Sequence, residues 1–165
     1  MVRQRSIVAA VVVVAALSTS HAAPTKESAT AAKSGHTMLT PDAIQWGPFP
    51  AGGPNTQLAV LSGDPGKPGP FVIRIKTADG FHIPPHWHPG DEHITVISGT
   101  FALGMGEKFD EAALKDMPAG SYGLLPKKMR HFALSRGETV VQVHGIGPFK
   151  VIYVNPADDP LAKKP

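Results

Sequence analysis

The stretch that most constrains this chain runs Gly80-Phe-His-Ile-Pro-Pro-His86-Trp-His88-Pro-Gly-Asp-Glu92-His-Ile-Thr-Val-Ile-Ser-Gly99. Extended backbone sends successive side chains to opposite faces, so His86 and His88 leave the same face. Pro89, Gly90 and Asp91 make a turn, and Glu92 then opens an apolar run through Ile97. A strand, a turn and a second strand can thus gather two imidazoles and a carboxylate around one point. That donor set suits iron, manganese, copper, nickel or zinc without choosing among them.

The obvious further donor is His131. It follows Gly120-Ser-Tyr-Gly-Leu-Leu-Pro126-Lys-Lys-Met-Arg, a strand ending in a proline turn, and it begins another apolar run. Here the chain resembles the cupin superfamily. The first stretch fits that family's motif G-x5-H-x-H-x3-E-x6-G at Gly80, His86, His88, Glu92 and Gly99. The second resembles its partner, G-x5-P-x-G-x2-H-x3-N, at Gly120, Pro126 and His131, but Lys128 stands for the glycine and Ser135 for the asparagine. Those departures touch a turn and a strand end, not the ligand set. The resemblance covers about residues 45–155. It implies a double-stranded β-helix, a jelly-roll barrel, holding one divalent transition metal on His86, His88, Glu92 and His131.

Residues 1–22 have the pattern of a cleavable signal peptide. Arg3 and Arg5 precede the eleven apolar residues from Ile7 to Leu17, and Ser18 to Ala22 form a small-residue cleavage region. Eleven residues fall short of the roughly 20 that span a bilayer. The expected product is periplasmic or secreted, with no membrane contact after cleavage. Two of the sixteen Lys and Arg lie in this leader, so fourteen remain against thirteen Asp and Glu. The near-neutral balance, and the lack of aromatics interleaved with Lys127, Lys128 and Arg130, argue against a nucleic-acid partner. With no cysteine, the core forms without disulfides or thiolate ligands. Residues 23–40, rich in Ala, Ser, Thr and Lys, read as a disordered linker, and 41–165 as one domain.

Within that domain, Gly and Pro separate short apolar runs. Strands are expected at 57–62, 71–77, 100–105, 121–125, 131–135, 139–144 and 149–154, besides those of the first motif. Phe71, Ile73 and Ile75 alternate with Val72, Arg74 and Lys76, the mark of a half-buried strand. One short helix is expected over 109–115. The fold class is all-β.

Other residues carry weaker signals. His93 neighbours Glu92 and so points away from it. Two prolines leave the facing of His82 open. Val141 and Val143 alternate with Gln142 and His144, so that strand has an apolar and a polar face. If the polar face lines the cavity, His144 becomes an acid–base or supporting group beside the metal, with Gln142 behind it. Phe81, Trp87, Phe101, Met105, Tyr122, Met129 and Phe132 are expected in the core. Gly80, Gly99 and Gly120 are expected where side chains would obstruct the backbone.

The resemblance implies an oxidoreductase of the dioxygenase, oxidase or peroxide-using kind, with Glu92 as ligand and base, and the alternation at 141–144 adds His144 as a candidate catalytic partner. Export favours copper or manganese over easily oxidised ferrous iron, with zinc and nickel still open. A non-redox cupin enzyme (isomerase, lyase or hydrolase) and a non-catalytic binding cupin use the same ligand set. The substrate, a small molecule or saccharide, is not written in the sequence. Cupin barrels often pair through their sheets, so a homodimer is compatible with the resemblance.

Overall fold

The computed structural model describes residues 36–162. The leader and most of the linker proposed above therefore lie outside the described residues. His36 to Thr40 are exposed and carry no regular structure.

Among the described residues nine strands follow in order: β1 (Gly47–Pro48), β2 (Gln57–Ser62), β3 (Gly69–Thr77), β4 (His82–Trp87), β5 (Glu92–Met105), β6 (Lys115–Pro118), β7 (Tyr122–Leu125), β8 (His131–Gly147) and β9 (Ile152–Tyr153). All pairings are antiparallel. The two long strands organise the rest, because each bends and serves two layers. The second half of β8 pairs with β3, from Gly69↔Gly147 to Thr77↔Thr139, and with the first half of β5. The first half of β8 pairs with β4 and with the second half of β5, from Thr100↔Arg136 to Met105↔His131. One layer is therefore β1-β2-β3-β8-β5-β7 and the other β9-β4-β8-β5-β6. Two such layers sharing bent strands make the jelly-roll barrel expected from the sequence.

The expected strands at 92–97 and 100–105 are the two arms of β5, and those at 131–135 and 139–144 are arms of β8. The register of β5 on β8 shifts between Val96 and Ser98 and again between Ser98 and Thr100. Gly99 sits there at φ +74°, and an added Cβ would overlap the Glu138 carbonyl. Obstruction therefore explains Gly99, as expected. At Gly80 and Gly120 nothing lies within 4 Å of a built Cβ, so the positive φ, 70° and 89°, is what favours glycine there.

Between the layers lies an apolar core of Phe71, Ile73, Ile94, Val96, Phe101, Leu103, Leu125, Ala133, Val141 and Val143. The expected helix over 109–115 is a single 3-10 turn, Glu111–Ala113, with Asp110 accepting from the Ala112 amide at 3.0 Å. Lys115–Pro118, not expected as a strand, follows it along the edge of β5. Three residues expected in the core are exposed instead: Met105, Tyr122 and Met129. Each lies near a strand end or on an outward position, where the barrel leaves no second layer to cover it.

Candidate metal centre

Three imidazoles meet inside the barrel. His86 lies on β4, His88 just beyond that strand's end, and His131 at the start of β8, directly opposite His86 in register. One ligand-type nitrogen from each lies within 4.8 Å of the other two. The ring centroids of His86 and His131 are 4.1 Å apart, and all three residues are at most 5% exposed. Glu92, at the start of β5, brings Oε2 to 3.2 Å from His88 Nε2 and 3.4 Å from His131 Nε2.

Backbone carbonyls settle which ring nitrogen faces inward. His86 Nδ1 lies 2.8 Å from the Pro84 oxygen, His88 Nδ1 2.7 Å from Lys150 and His131 Nδ1 3.0 Å from Met129. A carbonyl only accepts, so each Nδ1 carries its hydrogen and each neutral ring presents a bare Nε2. Glu92 thus aims a carboxylate oxygen at two nitrogen lone pairs. Among the described residues, His88 Nε2 and Glu92 Oε2 are buried without a hydrogen-bond partner. Like-signed lone pairs at this distance are stable only around something positive, a proton or a metal ion. The donor set fits a divalent transition metal, with the Nδ1 contacts as the orienting outer partners such ligands use.

Electrostatics agree with that reading. Burial, then the neighbouring His131 and His88, push the His86 imidazole down to about 3, which keeps it a neutral donor. Burial works against charge on Glu92, but positive charge at His88 and His131, a proton standing where a metal ion would, outweighs it and holds that carboxyl well below its ordinary range.

The cluster forms one side of a cavity of about 50 Å³ whose other walls are largely apolar: Ile75, Phe81, Ile83, Phe101, Val141 and Phe149. Phe149 stacks on His88 at 4.6 Å. Tyr153 closes the wall near His86, and its hydroxyl donates to the Ala51 carbonyl at 3.0 Å, tying down the segment that carries Phe49 and Gly52 over the cavity. These C-terminal contributions were missed from the sequence. Their signal was there, since Phe149, Val151 and Tyr153 recur at every second position and all line the cavity.

Two expectations need correction. His144 does not line the metal cavity. The apolar face of its strand, Val141 and Val143, turns inward, and His144 lies on the outer surface stacked on His93 at 4.6 Å. Gln142 is likewise outward, accepting from Arg74 Nε at 3.2 Å. The physical reason is that the cavity wall is largely apolar where this strand meets it, so the polar face belongs to solvent. His93 points away from Glu92 as expected, while exposed His82 packs on Phe109 outside the cavity.

Comparison with known proteins follows the same lines. The family model described as the ChrR cupin-like domain matches residues 34–150. Germin-like protein subfamily 3 member 3 of Arabidopsis thaliana is 34% identical over 71 residues, which are 42% of this chain and 34% of the germin-like protein. The match thus spans only about a third of that relative. The polyketide cyclase RemF of Streptomyces resistomycificus superposes with a TM-score of 0.62 at 18% identity, over 76% of this chain and 89% of its own. A putative acetylacetone dioxygenase of Methylibium petroleiphilum PM1 gives 0.58 at 20% identity, over 79% and 89%. At such identities the structural likeness shows the fold. The chain belongs to the ChrR cupin-like domain family of the cupin superfamily.

Proposed function

We propose that this protein is an exported, metal-dependent oxidoreductase acting on a small, largely apolar molecule that carries an acidic O–H or C–H. The observation behind it is the set of bare Nε2 atoms and a buried carboxylate opening into an apolar cavity. Copper, iron or manganese held by His86, His88, His131 and Glu92 would supply Lewis acidity and one-electron redox chemistry there. The chain's own residues do the rest. Glu92 is the only carboxylate among the described cavity-lining residues, and so it is the group that would take a substrate proton. Phe49, Phe81, Phe101 and Phe149 exclude water and favour an aromatic or aliphatic body over a hydroxyl-covered one.

Wall chemistry narrows the substrate class. A saccharide ring lacks the hydrogen-bonding partners it needs in these walls. Small phenols and enolisable dicarbonyls combine an acidic proton with an apolar frame, and they are the compounds to try first. Export rests on the Arg3, Arg5 and Ile7–Leu17 pattern alone.

The experiment is elemental mass spectrometry of the protein recovered from the exported fraction, followed by dioxygen uptake of its copper, iron and manganese forms with those compounds. About one equivalent of a redox metal, lost in His86→Ala, with uptake lost alongside it, is the expected result. Zinc or nickel at that stoichiometry points instead to isomerase, lyase or hydrolase chemistry. Tight metal binding with no uptake in any form refutes the oxidoreductase reading and leaves a binding protein.

A further inference from the structure

On the outside of the barrel, β8 and β5 place two further histidines directly opposite each other, His93↔His144. Their rings are nearly parallel, 13° apart, with centroids 4.6 Å from one another. Neither takes part in the buried cluster. The row continues outward on both sides, to Val72 on β3 and Leu124 on β7. Both rings line an open hollow of about 390 Å³ together with Asp91 and Ile146.

The nitrogen inventory of this pair favours a ligand. His93 Nδ1 is 2.7 Å from the Tyr122 hydroxyl, which fixes the ring's rotation and leaves Nε2 as its free edge. His144 makes no hydrogen bond or ion pair among the described residues. Facing residues of antiparallel strands hold their Cβ atoms about 5 Å apart, and these ring centroids are 4.6 Å apart, so the two free edges are near enough to share one ion. With His93 held by Tyr122, the adjustment falls to His144, whose ring turns about χ2 to bring a nitrogen towards His93 Nε2. Asp91, two residues before His93, lies on the same hollow. Its Oδ1 accepts from the Lys127 amide at 2.8 Å, and its charge adds a field that attracts cations.

We propose that His93 and His144 form a second metal site, a cross-strand pair of imidazoles that takes a borderline divalent ion from solvent. The stability order for nitrogen donors puts Cu(II) first, ahead of Ni(II) and Zn(II). Two protein ligands and water make this site weaker than the buried one and open to exchange. It stands independently of whatever reaction the buried centre performs.

The test is a calorimetric titration of the purified protein with Cu(II), followed by electron paramagnetic resonance at each equivalent. Wild type should take up a tight equivalent and a weaker one. His144→Ala and His144→Gln should each lose the weaker and keep the tight, whereas His86→Ala should lose the tight and keep the weaker. Should the His144 variants misfold, copper broadening of wild-type amide NMR signals decides. Selective loss at Val72, Thr95 and Leu124 supports the site, and undisturbed signals there overturn it. A single equivalent in wild type, or a weaker equivalent unchanged in His144→Gln, also overturns it.

Discussion

Replacing Glu92 by glutamine separates the two things a buried carboxylate does. The metal-free protein holds this carboxylate oxygen 3.2 and 3.4 Å from two ring nitrogens. Glutamine keeps the shape, removes a buried charge that costs several kcal/mol when uncompensated, and offers an N–H to His88 Nε2. A neutral hydrogen bond of that kind is worth about 1 kcal/mol. The metal-free variant should therefore melt at or above the wild-type temperature. With metal the sign reverses. At a free metal concentration of about 100 times Kd, binding stabilises wild type by about 2.7 kcal/mol. Loss of an anionic ligand should cost about the upper end, ~100-fold, of what losing an outer partner of such a site costs. At the same metal concentration that leaves about 0.4 kcal/mol. For a domain of this size, at roughly 4 °C per kcal/mol, a metal-induced gain of about 11 °C shrinks to about 2 °C. Paired thermal melts with and without metal measure both effects. An undiminished metal gain would show that Glu92 is not a ligand. A metal-free variant several kcal/mol weaker would show that the carboxylate is held by protonated imidazoles and does not wait for a cation.

The remaining predictions use the same geometry. His86 has its folded value pushed down to about 3 from an ordinary 6.5, so between those values the unfolded chain binds a proton that the folded one refuses. Metal-free stability should therefore fall as pH drops from about 6.5 towards 3, with Glu92 adding to the loss below the ordinary carboxyl range. Melts across that span check it, and a flat profile would contradict the burial argument. Gly104 faces Phe132, which is fully buried, and an added Cβ would overlap its ring. Gly104→Ala should cost about 1–3 kcal/mol by overpacking, read as a melting temperature lower by roughly 4–12 °C.

The parts of this molecule that were legible were local in sequence. His86, His88 and Glu92 announce themselves because residue type and spacing are both on one short stretch, and His131 because a proline turn precedes it. Lys128, which stands where the second motif has glycine, adopts φ +65°, and its amide donates to the His88 carbonyl at 2.8 Å. The left-handed turn survives the substitution, at the strain a side chain brings there. Ser135, in place of asparagine, pairs its buried hydroxyl with Thr77 at 2.7 Å. What was not legible depended on acceptors that have no residue signature, such as the carbonyls of Pro84, Met129 and Lys150. Nor does alternation say which face is interior. For Val141 to His144 the rule that apolar residues go inward was enough, and expecting polar walls around the metal led the other way. Lys115–Pro118 lacks alternation and contains proline, which an edge strand tolerates and a sequence reading does not favour.

The three orienting carbonyls also differ in a way that links the centre to its cavity. His86 and His131 each use the carbonyl two residues earlier, so their orientation is set within their own segment. His88 uses Lys150, sixty-two residues away, and lies under the Phe149 ring. That same C-terminal segment supplies Val151 and Tyr153 to the cavity wall, and Tyr153 anchors Ala51. One short stretch therefore fixes the direction of a ligand nitrogen, shapes the wall a substrate would touch and holds the segment above the cavity. The orientations of His86 and His131 are set within their own segments, whereas that of His88 depends on the packing of residues 149–153, so the metal site and the cavity wall share one packing contact.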